Sequence, residues 1–372
     1  MFRNILFVVI AVFLVSCAHT PEIGPRSTDH MGKAVEYPAL PQIKFEKNFV
    51  LAGEPSVTFN VEDRTATLAF ETVAPTPSVG VYYGVYFPNE KIQTPHYRRG
   101  EGINTEHPST RHSTKLKIYE LEHPQIDVAG LKKNGGGVVC YRLALFDPTK
   151  NRTIFYHRRF AYLNDQIVPT VVEGPFVDMV TRESAAISWE TDTPTACKLT
   201  VNGTIYESAV DPDRPLHHEM KVDGLNPSTI CSYTVDIPGG IGSKKFNFKT
   251  QGRPGERFKF AFLSDSRGGM GGGERMMNGA NYKMIRRLLG SAYLHDGDFI
   301  VFGGDLVNGG TTSVADIRMQ YATWKGAAEG VGHFIPIYEG MGNHESVVDI
   351  YSPYGYKKGK PVGIVFDKTG DD

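Results

Sequence analysis

The sequence predicts two all-β domains followed by a mostly parallel α/β unit, and three observations carry that reading. An internal repeat aligns Ala66-Thr67-Leu68-Ala69-Phe70-Glu71-Thr72 with Ala185-Ala186-Ile187-Ser188-Trp189-Glu190-Thr191. Both stretches alternate apolar and polar residues, the mark of a strand with one buried face. Later, three apolar runs at 258–263, 299–302 and 334–338 are continuous rather than alternating, as in strands buried in a parallel sheet. Finally, 40 Gly and 23 Pro among 372 residues supply turns for many short strands. Hydrophobic content of 40% and charged content of 22% are ordinary for a globular chain, and a net charge of −1 gives no push toward nucleic acid.

Taken in order, residues 1–17 read as a targeting segment. Arg3 supplies a positive start, and 5–15 is almost continuously apolar yet too short to span a bilayer comfortably. The segment closes with Leu14-Val15-Ser16-Cys17, which resembles a bacterial lipobox. That resemblance implies lipidation of Cys17 and a membrane anchor in the cell envelope, with Ala18 favouring the outer membrane. The alternative is an ordinary signal peptide with a chance cysteine. Residues 18–40 hold several Pro and Gly with little apolar periodicity and read as a tether.

Residues 41–165 and 166–252 are expected to be β-sandwiches of similar design. The same offset that aligns the repeat pairs Pro75 with Pro194 and Gly84 with Gly203, and places Phe70 and Trp189 as large aromatics in the two cores. The segment 166–252 resembles a fibronectin type III domain. Leu225-Asn226-Pro227-Ser228-Thr229-Ile230-Cys231 matches the turn into that fold's sixth strand, with Cys231 where a Tyr is usual and Tyr233 continuing the inward pattern. By that resemblance Cys197 and Cys231 lie on neighbouring strands, bridged or as two buried thiols; with Cys140 the count is odd, so at least one thiol stays outside a bridge within the chain. His217 and His218 read as solvated turn residues rather than ligands, and His157 as an exposed strand residue. Tyr82, Tyr83 and Tyr86 would support a carbohydrate-binding surface, but strand aromatics are more often core.

Pro254 and Gly255 mark the entry to the third unit, 253–372. Apolar positions at helical spacing in 281–295 and a second helical stretch at 313–329 separate the three apolar runs, giving βαβαβ. Each run ends on a potential ligand: Asp265, then Gly304-Asp305, then Gly342-Asn343-His344-Glu345. The ends of successive parallel strands are where an α/β sheet gathers its site. Asp, Asp and Asn oxygens suit hard or borderline divalent metals. The glycines between 268 and 273 are not a phosphate-cradling loop, because no Gly-Lys-Ser/Thr follows.

These motifs, in this order, resemble the calcineurin-like metallophosphoesterases, and within them the purple-acid-phosphatase-like branch that carries a fibronectin type III-like domain in front. The resemblance implies a hydrolase of phosphomonoesters or diesters with two divalent metal ions (Mn, Fe or Zn) and an attacking metal-bound hydroxide. In that scheme Asp265 binds the first metal, Asp305 bridges both and Asn343 binds the second. His344 faces the substrate and assists the leaving oxygen, and Arg267 contacts a phosphate oxygen. Arg267 stands where many members carry a His, and Asn308 where purple enzymes carry an iron-binding Tyr, so a coloured ferric site is not expected. Residues 346–372 contain no His, whereas the family uses later His ligands. The α/β unit is therefore expected to be incomplete, binding metal weakly and substoichiometrically, with negligible turnover by residues 1–372 alone. The alternative function is a non-catalytic, lipid-anchored surface module with a degenerate phosphoesterase remnant.

Overall fold

The computed structural model describes residues 50–147, 152–311 and 314–345, with strand segments at 348–350, 356–357, 360–361 and 365–366. The expectations for the signal, Cys17 and the tether, and the first residues of the leading β-domain, lie outside the described residues. Among the described residues no helix is long and apolar enough to cross a membrane.

The first unit comprises β1 (Ser56–Asn60), β2 (Thr65–Tyr86), β3 (Pro95–Lys117), the short helices α1 (Ile118–Leu121) and α2 (Leu131–Asn134), β4 (Gly136–Asp147), β5 (Arg152–Leu163) and β6 (Gln166–Val168). The expected pair of sheets is instead one six-stranded sheet. The long β2–β3 hairpin makes the difference. Along one edge of β2, β1 pairs with 65–69 and β4 with 79–84, while β3 follows the other edge throughout. Register shifts between Glu71 and Ser78 interrupt the ladder. Across them the buried positions change phase, from Ala66, Leu68 and Phe70 to Val79, Val81 and Tyr83. Bulges of this kind bend a strand. The sheet thus folds over itself, and both halves of β2 share one core with Leu116, Leu143 and Tyr162. Tyr83 lies in that core, against the carbohydrate-surface reading, while Tyr82 is exposed.

The second unit has two sheets around one core. β7 (Val171–Asp178), β8 (Ser184–Thr191) and β11 (His217–Asp223) form one. The other holds β9 (Cys197–Val201), β10 (Thr204–Ser208), β12 (Ile230–Asp236) and β13 (Phe246–Lys249), in the order β10-β9-β12-β13. Trp189 and Tyr233 are fully buried between them. Cys140, Cys197 and Cys231 are buried free thiols. Two histidine readings are corrected here. His217 and His218 are strand residues of β11 rather than turn residues; His217 is half-buried, and His218 is buried and stacks on Trp189 at 5.2 Å, because its register places it directly opposite that indole. His157 is on β5 as expected but is half-buried against the third unit, where it accepts from Arg142 Nε at 3.1 Å and meets the Tyr282 ring.

The third unit opens as βαβαβ: β14 (Phe260–Leu263), α3 (Tyr282–Leu294), β15 (Phe299–Phe302), α4 (Val314–Gly332) and β16 (Ile337–Glu339), with these three strands parallel in the order β14-β15-β16. The Asn281 side chain caps α3 by accepting from Met284 N–H. Crossovers between parallel strands are right-handed as a rule, so two that step in one direction put both helices on one face. Ile300, Phe302 and Ile337 accordingly share a core with Ile285, Leu289, Trp324 and Val331. The expected burial of both sheet faces is corrected: among the described residues the opposite face is uncovered along the β14 side, where Phe258, Phe260 and Phe262 are 65%, 55% and 64% exposed, while Phe299, Val301 and Tyr338 are half-buried.

Candidate functional site

Asp265, Asp305 and the 342–345 turn follow the C-terminal ends of β14, β15 and β16, where the sequence pattern places them. The tips are tied together through the backbone. Gly303 N–H donates to Leu263 O at 2.8 Å, Asp265 N–H to Gly304 O at 3.2 Å, and Gly340 N–H to Phe302 O at 2.6 Å. Asp265 and Asp305 have φ of 57° and 54°. A left-handed aspartate turns the chain sharply away from its strand and leaves the carboxylate at the tip. Such backbone is costly for non-glycine residues and concentrates at functional sites.

Beneath the tips lies a buried support. Trp324 Nε1 donates to Ser266 Oγ at 2.8 Å, and Ser266 Oγ donates to Leu306 O at 3.0 Å. Gln320 Oε1 accepts from Gly309 N–H at 3.0 Å, fixing the turn after Asp305 to α4.

His344 is anchored on three sides. Its backbone N–H donates to Asp305 Oδ1 at 3.3 Å, and its Nδ1 lies 2.7 Å from Asn308 O. A carbonyl can only accept, so Nδ1 carries a proton and the neutral ring presents Nε2 as the acceptor. Arg267 Nη1 meets that Nε2, and Asp305 Oδ2 is 4.0 Å from it. Asp265, Arg267 and Asn343 are exposed, so the tips form an open surface. The cleft lined by Tyr86, Arg159, Tyr282, Glu329 and His333, about 330 Å³, lies elsewhere, at the junction of the three units.

Every site residue expected from the sequence within the described part is therefore on this edge. Two contributors were missed. Asn308 holds the glycine-rich loop by accepting from Gly268 N–H at 2.9 Å. Glu345 is buried and accepts from three backbone amides at the tips. The only sequence signal for Glu345 is its place at the end of Gly342-Asn343-His344-Glu345. Burial, and secondarily the Glu345 charge, push the Tyr321 hydroxyl up to about 12.

The donors fit a divalent cation in kind: two carboxylates and a carboxamide, all oxygen. They fall short in number for two cations. Among the described residues no three His, Cys, Asp or Glu side chains come together as a metal-holding group.

Residues 258–369 match the family model described as calcineurin-like phosphoesterase, so this part of the chain is a domain of that kind. No curated protein matches the chain. Among solved structures it is similar to PhoD, with 14% identity over 46% of this chain and 38% of that one, at a TM-score of 0.36. It is also similar to a purple acid phosphatase from yellow lupin (Lupinus luteus) seeds, with 15% identity over 78% of this chain and 55% of that one, at a TM-score of 0.40. The chain thus spans only part of either protein's length.

Proposed function

We propose that the chain belongs to a metal-dependent phosphoesterase acting on phosphomonoesters or diesters, with its site at the tips of β14, β15 and β16. The observation that carries this reading is the gathering of Asp265, Asp305 and the Gly342–Glu345 turn on adjacent parallel strand ends, inside the segment that matches the calcineurin-like phosphoesterase family. Asp265, Asp305 and Asn343 would hold a divalent cation, which when bound supplies Lewis-acid polarisation of a phosphoryl oxygen. Arg267 and His344 Nε2 face one another across the edge. A phosphoryl group entering there takes hydrogen bonds from the guanidinium, and from His344 when Nε2 is protonated. The Asn308 carbonyl holds the imidazole so that Nε2 is the atom offered to the leaving oxygen. The seven strands of 171–249, split three and four between two sheets, support the fibronectin type III-like reading of the second unit.

The test is hydrolysis of p-nitrophenyl phosphate and its bis ester with and without added Mn²⁺. Activity should require the cation. Asp305→Asn should abolish it, and His344→Ala should lower the rate by about 10²–10⁴-fold. Wild-type turnover in Asp305→Asn would remove the metal reading.

A further inference from the structure

The Glu345 carboxylate is 4% exposed and takes three backbone N–H groups: Asp305 at 2.9 Å, Leu306 at 2.7 Å and Gly342 at 2.5 Å. Two of these amides belong to the turn after β15 and one to the turn after β16. Among the described residues no lysine, arginine or histidine pairs with it. A buried carboxyl group held, among the described residues, by backbone amides is an expensive choice for local packing, since a buried polar group of this kind normally needs a side-chain partner. Its position explains the choice. The amide of Asp305 lies on the residue whose backbone is held left-handed at φ 54°. Conformations of that cost persist only where the surroundings over-determine them.

We propose that Glu345 is a positioning residue. It holds the Asp305 backbone in its left-handed form, aims the Asp305 carboxylate out of the tip and locks the Gly342–His344 turn against it. Gly342 fits the same role, because a Cβ there would stand 2.5 Å from Asp305 N and 2.8 Å from Glu345 Oε2. The approach of the two turns needs both an absent side chain and an acceptor between them. The chemistry also explains why the residue is a carboxylate. Two acceptor oxygens can take three N–H donors, whereas a carboxamide offers one oxygen and turns an NH₂ toward an amide that must itself donate. The functional consequence rests on the phosphoesterase reading, but the clamp does not.

The experiment compares the full chain with Glu345→Gln and Glu345→Asp in two measurements. Hydrogen exchange, read by mass spectrometry, follows the peptide spanning 303–309 against peptides from α3. Electron paramagnetic resonance follows Mn²⁺ binding. In Glu345→Gln the 303–309 amides should exchange roughly 10–100-fold faster, the loss expected for a charge-assisted hydrogen bond, with α3 unchanged. Mn²⁺ affinity should fall about 10–100-fold, as when a residue that orients a ligand is lost. Glu345→Asp keeps the charge on a shorter arm and should lie between; if Glu345→Gln does not fold, this variant carries the same comparison. Unchanged exchange at 303–309 overturns the clamp. Faster exchange with unchanged Mn²⁺ affinity overturns the positioning role. Absence of Mn²⁺ binding by the wild-type chain overturns the metal reading instead, while the exchange arm still decides the clamp.

Discussion

At the residue scale, the site depends on backbone that side-chain types do not announce. The pattern Asp265, Asp305, Asn343, His344 reads directly from the sequence, because each follows an apolar run. The left-handed φ of the two aspartates does not, since aspartate occupies many turns. Glu345 was invisible as a participant because its partners are amides, and amides have no sequence signature. Gly342 shows how tight the result is. Its missing Cβ would press on Asp305 N at 2.5 Å, and that neighbour is backbone, which cannot swing aside. Gly342→Ala should therefore separate the two turns and lower phosphoesterase activity at least about 10²-fold, the scale of a misplacement of about 1 Å. Thermal unfolding should move much less than activity, because the turn lies at the edge of the α/β core. A variant with wild-type turnover would show that the turns are not held this closely.

At the element scale, the internal repeat was legible and its consequences were not. Residues 66–72 and 185–191 are strands with Phe70 and Trp189 inward, as alternation predicts. Each aromatic is paired across the ladder with a buried histidine, His112 stacked on Phe70 at 5.1 Å and His218 on Trp189. Each histidine Nε2 also reaches a threonine on the aromatic's strand, Thr72 at 3.3 Å and Thr191 at 3.4 Å. Cross-strand partners depend on register, which a single strand's pattern does not contain. Just beyond α4, His333 is held in the same way: Nδ1 donates to Pro175 O at 2.7 Å, and the ring stacks on Phe246 at 4.2 Å. Burial lowers its pKa to about 3. A folded value below the unfolded value of about 6.5 means that the unfolded chain binds the extra proton first. The stabilisation is then complete above about pH 6.5 and declines as pH falls from there toward 3. By pH 5 the loss is on the order of 2 kcal/mol from this group. Urea midpoints at pH 7 and pH 5 should differ less in His333→Phe, which keeps the stack, than in the wild type. Equal differences would show that His333 is not held neutral.

At the scale of the whole molecule, the third unit is stitched to both β units by polar groups of single residues. Asn278 pairs with both backbone groups of Phe155, and Arg142 reaches Glu274 at 2.9 Å. Arg159 donates to Glu329 at 2.8 Å and to Gly174 O at 3.1 Å. Tyr233, read from the sequence only as an inward strand residue, donates its hydroxyl to His333 O at 2.7 Å across the junction. The order of units was legible from composition and period; the junctions were not, because they are made by isolated residues far apart in the chain.

The same scale governs the sheet face that the described residues leave open along β14. Phe258, Phe260 and Phe299 stack there with centroids 5.4–6.2 Å apart, and Phe262 extends the patch. A contiguous aromatic surface on a short parallel sheet favours association, because its removal from water is driven by area rather than by a specific partner. The double change Phe260→Thr with Phe262→Thr places β-branched residues in the strand and takes two of the four rings out of that surface. It forfeits two ring contacts of Phe260, with Phe299 and with Phe258, each worth about 0.5–1.5 kcal/mol beyond area. Light scattering of the purified chain should therefore report less self-association in the double variant, with only a small fall in unfolding midpoint. The core face, with Ala261 and Leu263 packed against the helices, is untouched. Unchanged scattering would mean that these aromatics are already covered in solution, and a large loss of stability would mean that the covering layer is part of the folded chain.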